Sequence, residues 1–78
     1  MGRPTKIAPS VHPILRILLQ EADRQGFTRQ GLAQRAGYDR ASVYNWACGN
    51  IRPSIHNLDD LATTLGLRIA AVPVAGPK

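Results

Sequence analysis

The side chains of this chain that could do chemistry are hydrogen-bonding groups between Thr28 and Gly49. The Arg40 guanidinium offers paired N–H donors, which match two acceptors on one planar edge such as O6 and N7 of guanine. The Asn45 carboxamide pairs a donor with an acceptor, as adenine N6 and N7 require. No paired carboxylates, nucleophile with base, or phosphate-cradling glycine loop accompanies them. The pattern therefore favours recognition over catalysis, and we expect no cofactor.

Two short helices joined by a tight turn are predicted to position these groups. Leu32, Ala33 and Ala36 share one face of the first helix. Gly37 suits a left-handed helix end, and Asp39 is expected to cap the next helix by accepting a backbone N–H. The inward face of this second helix is predicted to contain Val43, Trp46 and Ala47. Its outward face is predicted to contain Ala41, Tyr44, Asn45 and Cys48.

The charge of the chain favours a polyanionic partner. Its 78 residues include 10 Lys and Arg against 5 Asp and Glu, a formal net charge of +5. A chain this short forms one domain with a small core, which association of chains would help to stabilise. The single cysteine excludes an internal disulfide and a metal-ligand cluster. No apolar run approaches the roughly 20 residues of a membrane span, so we expect a cytoplasmic protein.

The two-helix segment resembles the helix-turn-helix of the phage repressor and Cro superfamily, the XRE family. The resemblance is carried by Leu32, Ala33, Gly37, Val43, Trp46 and Gly49. Small residues near the turn let two helices cross closely. The resemblance implies an all-α, four-helix domain of the lambda repressor type that binds double-stranded DNA and regulates transcription.

In this family the first two turns of the second helix contact bases in the major groove. The resemblance therefore implies base contacts by Arg40, Ala41, Tyr44 and Asn45. Arg40 could instead reach a phosphate, and Tyr44 could instead pack against a neighbouring loop. Ala41 can meet a thymine methyl. Asp39 is better explained by capping than by reading a cytosine.

Four further residues are expected to contact DNA phosphates. The resemblance implies a phosphate contact for Arg29 beside the first helix of the motif, with a solvated charge as the alternative. Arg52 lies in a loop that resembles the family segment running along the sugar-phosphate backbone. Ser42 is expected to donate its hydroxyl to a phosphate, and Arg35 to make a secondary contact.

One departure from the family pattern concerns an ion pair. Relatives usually have Glu directly after the tryptophan, paired with a basic residue late in the domain's first helix. Here the corresponding positions are Ala47 and Ala22. Losing both partners together can be neutral or stabilising, whereas losing one is costly. We therefore expect a working fold, in which this ion pair does not orient the second helix of the motif.

The helix-turn-helix domain is predicted to span residues 10–66. Its first helix is expected to have Ser10 as N-cap and Pro13 in its first turn, and to end at Gly26. The fourth helix is expected to follow a Ser54 cap. Gly31 is unusual inside a helix and could admit either the DNA backbone or the first helix.

The segments outside that domain are predicted to be less regular. Residues 1–9 read as a flexible basic arm, in which Arg3 and Lys6 either enter the minor groove or attract phosphates. Residues 67–74 have the β-branched, partly alternating pattern of a short strand. This strand or extension would pair with its twin in a dimer, or else remain disordered. Residues 75–78 are expected to be a disordered tail.

Two functional classes remain open. The first is a sequence-specific regulator that binds an inverted repeat as a homodimer, with half-sites about 34 Å apart. The second is a protein-interaction module of the antitoxin or antiactivator type, which could also repress its own operon. The arginines around the motif favour the first class. No effector domain is visible, so control through protein abundance or a second regulatory protein is expected.

Overall fold

Four helices make up the fold in the computed structural model, which describes residues 7–73. In chain order these helices are α1 (Pro13–Arg24), α2 (Arg29–Ala36), α3 (Arg40–Cys48) and α4 (Ile55–Thr64). The all-α, four-helix architecture expected from the sequence is confirmed. Within the described range, none of the helices has the length and apolar character needed to span a bilayer.

All four helices contribute to one hydrophobic core. Its largest fully buried side chains are Leu15, Leu19, Leu32, Leu61 and Val43. Four alanines with no exposed surface let the helices approach closely, and these are Ala22, Ala33, Ala47 and Ala62. The positions of the missing family ion pair, Ala22 and Ala47, are thus part of the apolar interior.

Helical spacing predicts that the apolar stripes of α1 and α4 include Ile17 and Ile55, but both residues lie outside the core. Ile17 in α1 is 59% exposed and Ile55 in α4 is 58% exposed. A helix in this small domain packs on one side only, so a residue at the edge of its apolar stripe remains in solvent.

The first helix begins later than the sequence predicted. Its N-cap is His12, whose Nδ1 accepts the N–H of Ile14 at 3.0 Å, and Pro13 occupies the first helical position. The expected Ser10 cap is therefore wrong. Ser10 lies instead beside the left-handed Gly49 at the end of α3, where an added Cβ would stand 2.7 Å from the Ser10 hydroxyl oxygen.

Residues 7–9, which the sequence assigned to the arm, are bound to the folded domain. The Ala8 N–H donates to the carbonyl of Ala47 at 2.9 Å. The Arg16 guanidinium donates to the carbonyls of Ala8 and Pro9 at 3.2 and 3.1 Å. These bonds attach the segment to the C-terminal end of α3 and to α1. Arg3 and Lys6 lie outside the described residues.

Residues 67–73 follow α4 without forming helix or strand. Ile69 packs partly against the core, whereas Leu67 and Val72 are 39% and 76% exposed. The predicted strand is therefore absent from the single chain. A strand needs a neighbour for its backbone groups, and among residues 7–73 no backbone group pairs with residues 68–73. The last five residues, 74–78, are outside the described range.

Candidate nucleic-acid interface

The turn between α2 and α3 brings the two helices of the motif together. Gly37 ends α2 with φ of 88°, in the left-handed region that glycine adopts without strain. Two further backbone bonds close the turn, since the N–H groups of Gly37 and Tyr38 donate to α2 carbonyls at 3.3 and 2.8 Å. The predicted glycine turn is confirmed.

The start of α2 explains its unusual interior glycine. The Thr28 hydroxyl caps the helix by accepting the N–H of Gly31 at 2.9 Å. A Cβ added to Gly31 would stand 3.1 Å from that hydroxyl oxygen. The absence of a side chain at Gly31 therefore leaves room for the Thr28 cap, and not for the first helix.

α3 has the two faces that the sequence predicted. Val43, Trp46 and Ala47 are buried beneath it, whereas Arg40 and Ala41 are exposed and Tyr44 is 52% exposed. The side chain of Cys48, one helical turn after Tyr44, raises the pKa of the Tyr44 hydroxyl through a hydrogen bond. A charged, a small and an aromatic side chain thus share one outward surface.

Asn45 lies beside this surface with one of its polar atoms already in use. It is half-buried, and its side-chain oxygen accepts a hydrogen bond from the side-chain amide of Asn50 at 3.2 Å. A bidentate contact with adenine needs that oxygen as well as the amide nitrogen. Because a carbonyl oxygen can accept two hydrogen bonds, such a contact would either share the Asn45 oxygen with Asn50 or displace Asn50. The sequence did not single out Asn50, because its position after the helix end carries no spacing signal.

The first turn of α3 differs from the prediction in its hydrogen bonds. Asp39 occupies the N-cap position, but its side chain makes no capping bond to the helix backbone. It accepts the Ser42 hydroxyl at 2.7 Å instead, and this bond lowers the pKa of Asp39. The expected capping bond is therefore wrong. Since the Ser42 proton is used within the chain, we withdraw Ser42 as a phosphate donor.

Arg29 is the largest correction among the expected phosphate contacts. Its side chain is 8% exposed, and its Nη1 lies 2.8 Å from the carboxylate of Asp23 in α1. This ion pair joins α1 to the start of α2 inside the domain. Because the guanidinium faces the protein, we remove Arg29 from the candidate interface.

Arg35 and Arg52 remain exposed, as expected for phosphate contacts. The Arg35 guanidinium lies 5.8 Å from the centre of the Phe27 ring, which supports the side chain without burying its charge. Arg52 lies in the loop between α3 and α4. Together with Arg40, these residues place exposed positive charge on α2, α3 and the following loop.

A polar cluster around Tyr38 connects the turn to α4, and the sequence did not predict it. The Tyr38 ring packs edge to face against Trp46, with centroids 5.2 Å apart and an interplanar angle of 75°. Its hydroxyl donates to the carboxylate of Asp60, and this bond raises the pKa of Tyr38. The hydroxyl also accepts from the side-chain amide of Asn57 at 3.0 Å. The sequence feature that could have indicated this cluster is the aromatic residue directly before the N-cap of α3.

The described surface also has a groove at one end of α3. An open groove of about 530 Å³ between the N-terminal segment, the end of α3 and the start of α4 has a mainly apolar lining. No group of three His, Cys, Asp or Glu side chains suited to a metal ion occurs among residues 7–73.

Comparison with known families agrees with this geometry. A family profile described as Helix-turn-helix, of the XRE or Cro/C1 type, matches residues 15–72. The match extends from α1 through the segment that follows α4. Neither the curated proteins nor the solved structures gave a match to the chain.

Proposed function

The chain belongs to the Cro/C1-type helix-turn-helix family of DNA-binding transcription regulators, and on that premise we propose that α3 enters the major groove and reads base edges. The observation that carries the proposal is the outward face of α3, where Arg40, Ala41 and Tyr44 are exposed above a buried face. The major groove of B-DNA is wide enough for one α-helix, and its base edges differ in donors and acceptors.

Each side chain of this face offers a different contact. Arg40 donates two N–H groups to guanine or reaches a phosphate, and Ala41 meets a thymine methyl. Tyr44 places its ring against the groove wall and its hydroxyl towards the backbone. Asn45 reads adenine, and its oxygen is either shared with Asn50 or released by it. A good bidentate contact discriminates against the wrong base by about 1–3 kcal/mol.

Phosphate contacts come from Arg52 and Arg35, which lie on elements flanking α3. Each neutralised phosphate releases counterions, so each such contact makes binding more sensitive to salt. In the same proposal, Arg3 and Lys6 add minor-groove or phosphate contacts from the segment before residue 7. These contacts position the protein, while α3 supplies sequence preference.

We further propose that the regulator acts as a homodimer on an inverted repeat. One recognition helix contacts few base pairs, whereas two related by a two-fold axis read half-sites about 34 Å apart. The segment after α4 supports the dimer because Leu67 and Val72 are exposed. The backbone of residues 68–73 also has no pairing partner among the described residues. Pairing between two copies would satisfy that backbone.

The proposal is tested by selecting bound duplexes from a random DNA pool and measuring gel shifts on the enriched sequence. We expect an enriched inverted repeat, whose preference over unrelated DNA falls in Arg40→Ala. Arg24→Ala is the matched control, because Arg24 is exposed on α1 and pairs with Glu21; it should retain the preference.

Failure to enrich any sequence, together with unchanged binding by Arg40→Ala, would contradict the proposal. That result would favour the alternative that this surface docks a second regulatory protein. Footprinting on the enriched duplex tests the dimer separately, since a dimer protects two symmetric patches and a monomer protects one.

A further inference from the structure

We propose that the Tyr38 hydroxyl is the positioning group that sets the orientation of α3, and with it the preference for specific over non-specific DNA. This inference rests on the proposed function, and it concerns a residue that contacts α4 rather than DNA. Three observations carry it: the weak local restraints on α3, the bonds of Tyr38, and the rigidity of its partner on α4.

Local interactions do little to fix the start of α3. The helix has 9 residues and no side-chain cap bond, because the Asp39 carboxylate accepts the Ser42 hydroxyl. Its last turn has no basic residue, and near its first turn the Asp39 carboxylate is the acidic group that faces the positive end of the helix dipole. Helices of this length are marginal alone. The orientation of α3 must therefore come from tertiary contacts.

Neither the Arg24–Glu21 pair nor the Arg29–Asp23 pair involves α3. The C-terminal end of α3 is held by the bond from the Ala8 N–H to the Ala47 carbonyl. Near the opposite end Val43 is packed in the core, and hydrogen bonds to another helix come there from Tyr38.

Tyr38 supplies a contact at that opposite end. It directly precedes the cap residue Asp39, and its ring packs against Trp46 on the buried side of the same helix. Its hydroxyl then bonds to both Asp60 and Asn57 on α4. The start of α3 is thereby connected to a second helix through one side chain.

The partner on α4 is itself held in place. The Asn57 side-chain oxygen accepts the N–H of Ser54 at 2.8 Å, and the Ser54 hydroxyl accepts the N–H of Asn57 at 3.1 Å. This reciprocal capping box fixes the Asn57 side chain. Its amide therefore reaches Tyr38 from a rigid position.

A tilt of α3 should affect sequence-specific and non-specific DNA binding differently. Hydrogen bonds to base edges need accurate placement of Arg40 and its neighbours, whereas attraction to phosphates tolerates small displacements. Loss of the Tyr38 hydroxyl should consequently weaken specific binding and leave non-specific binding nearly unchanged.

The test compares full-length wild type with Tyr38→Phe, which retains the ring on Trp46 and removes the hydroxyl. Dissociation constants are measured on the selected duplex and on an unrelated duplex at one salt concentration. We expect the affinity for the selected duplex to fall about tenfold, the size of one base contact. The affinity for the unrelated duplex should change less than about twofold.

Two further variants separate positioning from stability. Thr64→Val removes a different hydrogen bond to Asp60, between the Thr64 hydroxyl and the Asp60 carbonyl, and should leave the ratio of the two affinities unchanged. Asp60→Asn keeps an acceptor for Tyr38 and should preserve the ratio, whereas Asp60→Ala should lower it.

Equal losses on both duplexes in Tyr38→Phe would show a merely structural role and overturn the inference. Retention of the wild-type preference in Tyr38→Phe and Asp60→Ala would overturn it as well, while leaving the proposed function intact. A wild-type protein without preference for any duplex would overturn both.

Discussion

Arginine residues in this protein serve different purposes according to their surroundings. Arg29 pairs with Asp23 inside the domain, and Arg16 binds carbonyls of the N-terminal segment. Arg40 and Arg52 point into solvent. A guanidinium has several fixed donors and therefore suits both uses. The total positive charge consequently overstates the charge that can reach DNA.

Replacement of Arg29 tests its assignment to the interior. We expect Arg29→Ala to lower the free energy of unfolding by about 3 kcal/mol, because Asp23 loses its partner in a largely buried site. The salt dependence of DNA binding should not change, when measured where the variant is folded. Arg35→Ala is the control, and it should reduce the slope of log affinity against log salt by about 1 with little effect on urea unfolding. The reverse pattern would return Arg29 to the interface.

The hydrogen bond from Tyr38 to Asp60 makes the free energy of unfolding depend on pH, and the direction follows from the pKa shift of Tyr38. Asp60 raises the pKa of Tyr38 above its usual value of 10.0, so ionisation is harder in the folded state. The stability due to this bond is complete below pH 10 and is lost as the pH rises through the folded-state pKa. The difference in unfolding free energy between wild type and Tyr38→Phe should shrink as the pH rises above about 10. A difference that grows over this range would contradict the assignment. Tyr44 ionises in both proteins and cancels in the comparison.

For individual residues, the sequence predicted which side chains are exposed better than it predicted which side chains contact each other. Helical periodicity correctly predicted that Arg40 and Tyr44 lie outside and Trp46 inside. It could not show that Arg29 meets Asp23, since those residues lie on different helices and meet only after the helices pack. The bond between Tyr38 and Asp60 was missed for the same reason.

The start of a helix was predictable where a capping residue stands directly before it in the sequence. Ser54 caps α4 as expected, and Thr28 caps α2. At α1 the sequence predicted Ser10 as the cap, but His12, directly before Pro13, has that role. Ser10 lies beside Gly49, while His12 caps the helix through Nδ1. Tertiary packing therefore overrode the usual preference for serine.

The Thr28–Gly31 pair predicts a non-additive effect on helix stability. Alanine is favoured over glycine by about 1 kcal/mol in a helix interior, but a Cβ at Gly31 would stand 3.1 Å from the Thr28 hydroxyl. Gly31→Ala should therefore stabilise wild type by less than it stabilises Thr28→Ala, where the hydroxyl is gone. Chemical denaturation of the two single variants and the double variant measures the coupling. Equal gains in both backgrounds would contradict this explanation.

On the scale of the whole molecule, a compact helical domain carries an exposed C-terminal segment. The described residues extend over 45 × 24 × 23 Å, and residues 67–73 add apolar surface beyond the fourth helix. The sequence predicted the apolar character of this segment. It could not predict the conformation in one chain, because a strand depends on its neighbour.

The proposed dimer predicts which surface controls assembly. Val72→Asp should shift the protein from dimer to monomer in sedimentation experiments and reduce the footprint to single half-sites, because the charge would be buried between copies. Ile17→Asp is the matched control, since Ile17 is similarly exposed but lies on α1. It should leave the dimer intact. If only Ile17→Asp dissociates the protein, the interface is a helical face instead.

The account as a whole depends on α3 lying in the major groove, and dimethyl sulfate protection tests this directly. The reagent methylates guanine N7, an atom exposed in the major groove. On the selected duplex, wild type should protect at least one guanine N7 in each half-site, and Arg40→Ala should restore its reactivity while the protein remains bound. Full reactivity of every guanine N7 in the bound site would contradict the central claim.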